Sequence, residues 1–136
     1  MSFRFPIELG KIREFARATH ATHPSYWTDD AVIPPTFLAA RSFWKTDDED
    51  PVPGLGLERS RTLHAGEEFR FHGRVPKAGE TLHVSSRIGD EWHKEGRRGG
   101  SLRFVTIVTE YRDADGELVA ESIATAVETV KPPEET

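Results

Sequence analysis

The chain has 136 residues, enough for one domain with a modest core. Charged residues make up 30% and hydrophobic residues 36%, and no run approaches the roughly 18 apolar residues of a membrane-spanning helix. A net charge of −5 argues against general nucleic-acid binding, though not against a local basic pocket, and the absence of cysteine excludes disulfides and thiolate metal sites.

Phe3 to Glu8 alternates as a short strand, with Phe3, Phe5 and Ile7 on one side. From Lys11 the period becomes helical: Ile12, Phe15, Ala16 and Thr19 share a face, and the helix ends in a polar loop at Pro24. A second helix is predicted from Pro35 or Thr36, with proline suited to a first helical turn and Thr36 a possible N-cap. Phe37, Leu38, Ala39, Ala40, Phe43 and Trp44 make it apolar nearly all round, the pattern of a buried helix. Residues 45–57 read as an acidic loop, either a solvated connection or a lid.

The second half is nearly all strand. Phe69, Phe71 and Val75 alternate with polar residues, Lys77 to Glu80 turns, and Leu82, Val84 and Ile88 alternate again. Asp90 to Gly100 is polar and glycine-rich and is predicted to loop. Leu102 to Tyr111 reads as the longest strand, apolar on both faces, hence a central strand or one covered by a partner. Asp113 to Gly116 is a hairpin turn. Along Leu118 to Val130 the small residues Ala120, Ser122, Ala124 and Ala126 form a row, which suits either the seat of a buried helix or a close sheet contact. Helices followed by an antiparallel meander give an α+β plan that leaves several folds open.

Particular motifs narrow that choice. Lys11 to Phe37 reads KIREFARATHATHPSYWTDDAVIPPTF, and it is followed by Leu63 to Phe71, Val75 to Leu82, Lys94 to Gly100 and Asp115 to Val119. Their order and spacing resemble MaoC-like dehydratase domains over roughly residues 3–130. The similarity is to the N-terminal, FAS1-type half of that family, like the noncatalytic subunit of hydroxyacyl-ACP dehydratases and (R)-specific enoyl-CoA hydratases. The resemblance implies a hot-dog fold, an antiparallel sheet wrapped around a central α-helix. It implies a single domain over residues 1–131 and a frayed tail over 132–136.

Catalytic members of the family carry Asp-x-Asn-Pro-x-His where this chain has Ala21 to Tyr26. Pro24 matches, but Ala21 stands at the Asp position and Tyr26 at the His position. In active members the Asp and His direct water to C3 of an enoyl thioester while C2 is protonated, by general acid–base catalysis. Ala21 cannot accept a proton, and a phenol of ordinary pKa about 10 is a poor base near neutrality. No catalytic residue is therefore assigned to this chain. The substrate-binding candidates implied by the resemblance are Tyr26, His64, Gly66, Arg97, Gly99 and Gly100. His64 reads as standing in a loop before a strand, where a structural histidine bonded to a backbone carbonyl is favoured over a channel-lining one, and the basic cluster Lys94, Arg97 and Arg98 either docks coenzyme A phosphates or is a solvated loop. His72 and His83 read as solvated or interfacial. His20 and His23 lack a third ligand, so no metal is expected, and no cofactor is implied.

The expected role is a stabilising, channel-forming subunit that completes a double hot-dog with a catalytic MaoC-like partner, or forms a homodimer when alone. Its ligand is an acyl-CoA or acyl carrier protein thioester, its location cytoplasmic, without membrane or nucleic acid. One alternative is a self-sufficient hydratase with displaced groups such as Asp30, His23 or His64. Another is a noncatalytic acyl-thioester-binding protein. A thioesterase is disfavoured because Phe37 to Trp44 holds no carboxylate.

Overall fold

The computed structural model describes residues 2–97 and 99–130. Five strands, β1 (Ser2–Pro6), β2 (Thr62–Phe71), β3 (Thr81–Glu95), β4 (Ser101–Arg112) and β5 (Leu118–Glu128), form one antiparallel sheet. Their order is β1-β3-β4-β5-β2, so β4 is the central strand, as its two-sided apolar pattern predicts. The proposed tail over 132–136 lies outside the described residues.

The register explains the core. Phe3, Val84, Tyr111, Ala120 and Phe71 stand in one row across all five strands. Phe5 and Leu82 extend that face, and both are fully buried. Helix α1 (Leu9–Ala18) closes over it with Ile12 and Ala16, the buried side of its amphipathic stripe. The helix stops where His20 takes a left-handed φ of 57° and the Ala21 N–H turns back to the Ala16 carbonyl.

The second helix differs from expectation. It is a seven-residue 3₁₀ segment, Phe37–Phe43, and Thr36 makes no side-chain cap. It is not buried all round either. Phe37 and Leu38 are fully buried, whereas Phe43 is 79% exposed. Two turns suffice to carry Phe37 onto Phe5 (ring centroids 6.0 Å) and Trp44 onto the same ring (5.1 Å), after which Phe43 projects past the sheet beside Lys11. The small-residue row does seat this segment, but only with its first half. Ala120 and Ser122 are fully buried, and the Tyr111 hydroxyl between them donates to the Leu38 carbonyl at 3.3 Å. Ala124 and Ala126 stay half-buried.

Three strand boundaries are corrected. β2 begins at Thr62, so His64 lies within a strand rather than a loop, and it ends at Phe71, short of Val75. β3, with 15 residues, is longer than β4 with 12. The stretch from Asp90 to Glu95 is strand, paired as Trp92 with Phe104 and Lys94 with Leu102. It reads as a loop because it is exposed on both faces, which removes the hydrophobic alternation that marks a half-buried strand. A bulge at Gly89 and Asp90 sets its register, and glycine is required there because a Cβ would collide with Thr106 Oγ1.

Candidate functional site

Ala21 and Tyr26 sit in a short connection held by its own backbone and by α1. The Ala21 carbonyl accepts the Trp27 indole N–H at 3.2 Å, and Arg13 reaches the Trp27 carbonyl at 3.3 Å. His23 is occupied: its Nδ1 accepts the Ser25 N–H at 3.1 Å and lies 2.7 Å from Ser25 Oγ. Tyr26 packs its ring, half-buried, against the core. Asp29 makes an exposed ion pair with Arg13 at 3.6 Å, and Asp30 is exposed. The segment then runs beside the loop before β3, with Val32 bridged to Lys77 and the Ile33 N–H on the Pro76 carbonyl. Every one of these contacts serves to fix the chain path.

The polar cluster on the covered face of the sheet has a different membership. Glu67 of β2 stands 3.6 Å from Arg41 of the 3₁₀ segment and 3.6 Å from His64 Nε2. The Arg41 and Glu67 side chains are 19% and 23% exposed, and His64 is 63% exposed. Arg41 also donates to the Leu38 carbonyl at 3.4 Å, the same carbonyl that takes the Tyr111 hydroxyl. Burial pushes the Tyr111 phenol above its ordinary pKa, against the opposing pull of Arg41 and Ser122. Glu67 thus links a guanidinium rooted in the helix to an imidazole open to solvent. At 3.6 Å the approach is too long for a hydrogen bond, and His64 Nδ1 has no partner among the described residues.

Sequence reasoning finds His64 but misses Arg41 and Glu67. The available signal is Arg41 itself, a lone charge in an apolar helix. It also follows that a carboxylate reaches the helix from the sheet, although Phe37 to Trp44 contains none.

The remaining candidates are divided by the length of β3. Arg97, Gly99 and Gly100 form the hairpin tip after β3, where the Gly96 N–H donates to the Gly100 carbonyl at 2.8 Å. Arg98 lies outside the described residues. Tyr26 belongs to the opposite end, near the start of β3, and the fifteen residues between correspond to about 45 Å of strand. His64 is nearer the tip. It pairs with Ala126, opposite Val105 and Glu91, which places it roughly 15 Å along the sheet from the tip. Gly66 follows it across a register shift and pairs with Thr125. His72, exposed, pairs with Glu121 at 2.8 Å, and His83 is exposed on β3. The structure therefore groups His64 and Gly66 with the hairpin tip and leaves Tyr26 apart.

Two shallow hollows of about 390 and 420 Å³ lie elsewhere, one between the end of β1 and α1, the other on the uncovered face around Thr106. Neither is lined by Tyr26, His64 or the hairpin tip. Among the described residues no group of three His, Asp or Glu side chains is placed to hold a metal, and no helix is long and apolar enough to cross a membrane.

Residues 2–122 match the family described as FAS1-like, dehydratase domain region. A UPF0336 protein of Streptomyces griseus is 32% identical over 132 residues, covering 90% of this chain and 84% of the relative. One from Streptomyces coelicolor is 37% identical over 95 residues, which spans 61% of this chain and 62% of that protein. Among solved structures, the HadBC (3R-hydroxyacyl-ACP dehydratase) complex of Mycobacterium tuberculosis superposes with a TM-score of 0.70 at 22% identity, over 93% of this chain and 94% of the other. The ChsH1-ChsH2 complex of the same organism gives 0.72 at 21% identity, over 98% and 84%. The antiparallel sheet, the segment laid against it and the match over nearly the whole length agree, and the chain belongs to the FAS1-like dehydratase domain family, with the hot-dog fold of the MaoC-like dehydratases.

Proposed function

We propose that this chain is the noncatalytic subunit of an (R)-specific enoyl-thioester hydratase or 3-hydroxyacyl-thioester dehydratase, assembled with a MaoC-like partner that carries the Asp and His. The observation that carries this reading is the state of the segment at Ala21 to Tyr26. Where the catalytic pattern needs a carboxylate and an imidazole, the chain has Ala21, whose backbone carbonyl accepts the Trp27 indole N–H, and Tyr26, whose half-buried ring packs against the core. Of the displaced groups, His23 is tied to Ser25, Asp30 is exposed without a histidine partner among the described contacts, and His64 stands 3.6 Å from Glu67 of the same strand, away from the Ala21–Tyr26 segment. Two of the similar structures are complexes of two named subunits, which supports the same reading.

In the assembled pair, water addition at C3 and protonation at C2 belong to the partner's acid–base groups. This chain supplies walls and tethers. His64, beside the half-buried Ala124 and Ala126, offers a polar contact on an otherwise small and apolar strip. Arg97, with the open backbone of Gly99 and Gly100, offers the hairpin tip to the phosphates of coenzyme A or to an acyl carrier protein. An extended pantetheine arm can bridge those two regions.

The test is enoyl-CoA hydration, followed as loss of the enoyl absorbance of crotonyl-CoA. The isolated chain is expected to be inactive, and co-expression with a MaoC-like chain that holds an intact Asp and His should give activity exceeding that of the partner alone. Substantial turnover by the isolated chain overturns the proposal.

A further inference from the structure

The face of the sheet turned away from the helix holds the second hollow. Arg87, Val108, Ile123 and Glu68 stand in one row across β3, β4, β5 and β2. The next row on that face is Gly89, Thr106, Thr125 and Gly66, two threonines between two glycines. Trp92, Phe104, Val127 and Leu63 form the row after it. Small residues between two rows of large ones lower the surface, and the hollow of about 420 Å³ lies there. Sites for small ligands occupy about 300–1,000 Å³. The bulge at Gly89 and Asp90 fixes its shape, because Gly89 adds no side chain and Thr106 Oγ1 holds the Asp90 N–H at 2.7 Å.

The charges around the hollow are unevenly matched. Glu68 and Arg70 satisfy each other through two hydrogen bonds, at 2.8 and 3.2 Å. The next charges along this face are matched as well, Glu121 with His72 at 2.8 Å and Glu110 with Arg112 at 3.1 Å. Arg87 and Asp90 are left over. Both line the hollow, yet neither side chain forms a hydrogen bond or ion pair with a described residue, and they do not pair with each other. They stand three positions apart on β3, about 10 Å of extended strand, which the bulge shortens. Charge-assisted hydrogen bonds of about 2.8 Å from each side leave room between them for one small charged group.

That group must carry both signs. A simple anion would satisfy Arg87 and meet the Asp90 carboxylate, and a simple cation would do the reverse. A ligand with a positive and a negative charge on neighbouring atoms satisfies both. Beside the two charges, the floor is apolar, formed by Val108, 9% exposed, and the half-buried Ile123. It offers dry contact to a hydrocarbon group attached between those charges.

We infer that this hollow binds a zwitterionic α-amino acid with an apolar side chain, its carboxylate on Arg87, its ammonium on Asp90 and its side chain on Val108 and Ile123. The site does not depend on the hydratase reading. It lies on the face opposite His64 and Ala124, and binding requires neither a thioester nor a partner chain.

Titration of the isotope-labelled full chain with L-leucine, followed by amide NMR shifts, tests it. Exposed ion pairs are individually weak, so saturation is expected with a dissociation constant of about 1–10 mM. The shifts should be confined to the surroundings of Gly89, Asp90, Thr106 and Val108. 4-Methylpentanoate lacks the ammonium and 3-methylbutylamine lacks the carboxylate, and each should bind about three- to five-fold more weakly than leucine. Arg87→Ala and Asp90→Asn should each weaken leucine binding by a similar factor, and the double variant should abolish saturation. Both positions are exposed, so folding is not at issue, and the dispersion of the same spectra checks it. Absence of a saturable shift in the millimolar range, equal binding of 4-methylpentanoate or 3-methylbutylamine, or unchanged binding in both variants overturns the inference. Saturation as described, together with an assembled pair that shows no gain in hydration, would leave the inference standing and remove the hydratase proposal.

Discussion

Glu67 lies 3.6 Å from Arg41, and this pair joins the sheet to the 3₁₀ segment at a place where both side chains are largely shielded from water. Shielding makes the pair costly to break from one side only, because the survivor is left as an uncompensated charge. Arg41→Ala is expected to destabilise the chain by about 1–3 kcal/mol in urea unfolding. Replacing both partners, Arg41→Met with Glu67→Leu, should cost less than the sum of the single changes, and additive losses would show that the two do not interact.

Tyr111 supplies the second tie to that segment. Its hydroxyl donates to the Leu38 carbonyl at 3.3 Å and lies 3.4 Å from Ser122 Oγ, both long for such contacts. Tyr111→Phe keeps the ring and removes the hydroxyl, so a loss of about 0.5–1.5 kcal/mol is expected from equilibrium unfolding. A neutral result would mean that ring packing alone seats the segment.

Gly89 answers to geometry rather than to chain flexibility. A Cβ there meets Thr106 Oγ1, the same atom that accepts the Asp90 N–H. Gly89→Ala is expected to cost about 1–3 kcal/mol through overpacking. The double variant Gly89→Ala/Thr106→Ala should recover part of that loss, measured as a less-than-additive change in a double-mutant cycle.

Asp50 gives the acidic loop its pH dependence. Burial raises its pKa, but the Val52 N–H at 3.0 Å and Lys45 at 3.0 Å outweigh burial, so the carboxyl is held below the usual aspartate range. A group depressed on folding contributes its stabilisation above the unfolded pKa and loses it as pH falls through the folded one. Amide exchange near Val52 should therefore accelerate, relative to its intrinsic rate, on acidification below the ordinary aspartate range. Asp50→Asn should remove that acceleration, and a loop whose relative protection ignores pH would contradict the assignment.

The fold was legible where burial imposes a period. Phe3 and Phe5, Ile12 and Ala16, and the two-sided pattern of β4 are read from sequence because one or both faces meet the core. The seat at Ala120 and Ser122 follows from side-chain size. The strand from Asp90 to Glu95 was illegible for the opposite reason, since an open edge exposed on both faces leaves no apolar period to detect. The helix type was hidden because apolar content reports contact, not whether a segment winds as α or 3₁₀. Arg41 and Glu67 were hidden because their pairing is set by how the segment lies on β2, which no local pattern records. Ala21 and Tyr26 were readable only against the family pattern. Their structural duties came from the indole and core contacts.

His64 separates binding from chemistry in the assembled pair. Its side chain is 63% exposed and its polar contact among the described residues is Glu67 at 3.6 Å, so His64→Ala should change stability by no more than about 0.5 kcal/mol. If the acid–base groups belong to the partner, His64 acts on bound substrate and transition state alike. Its loss then raises KM, by roughly three- to ten-fold, and leaves kcat unchanged. A fall in kcat with unaltered KM would instead place His64 in the chemical step, with Glu67 orienting it, and would transfer part of the catalysis to this chain.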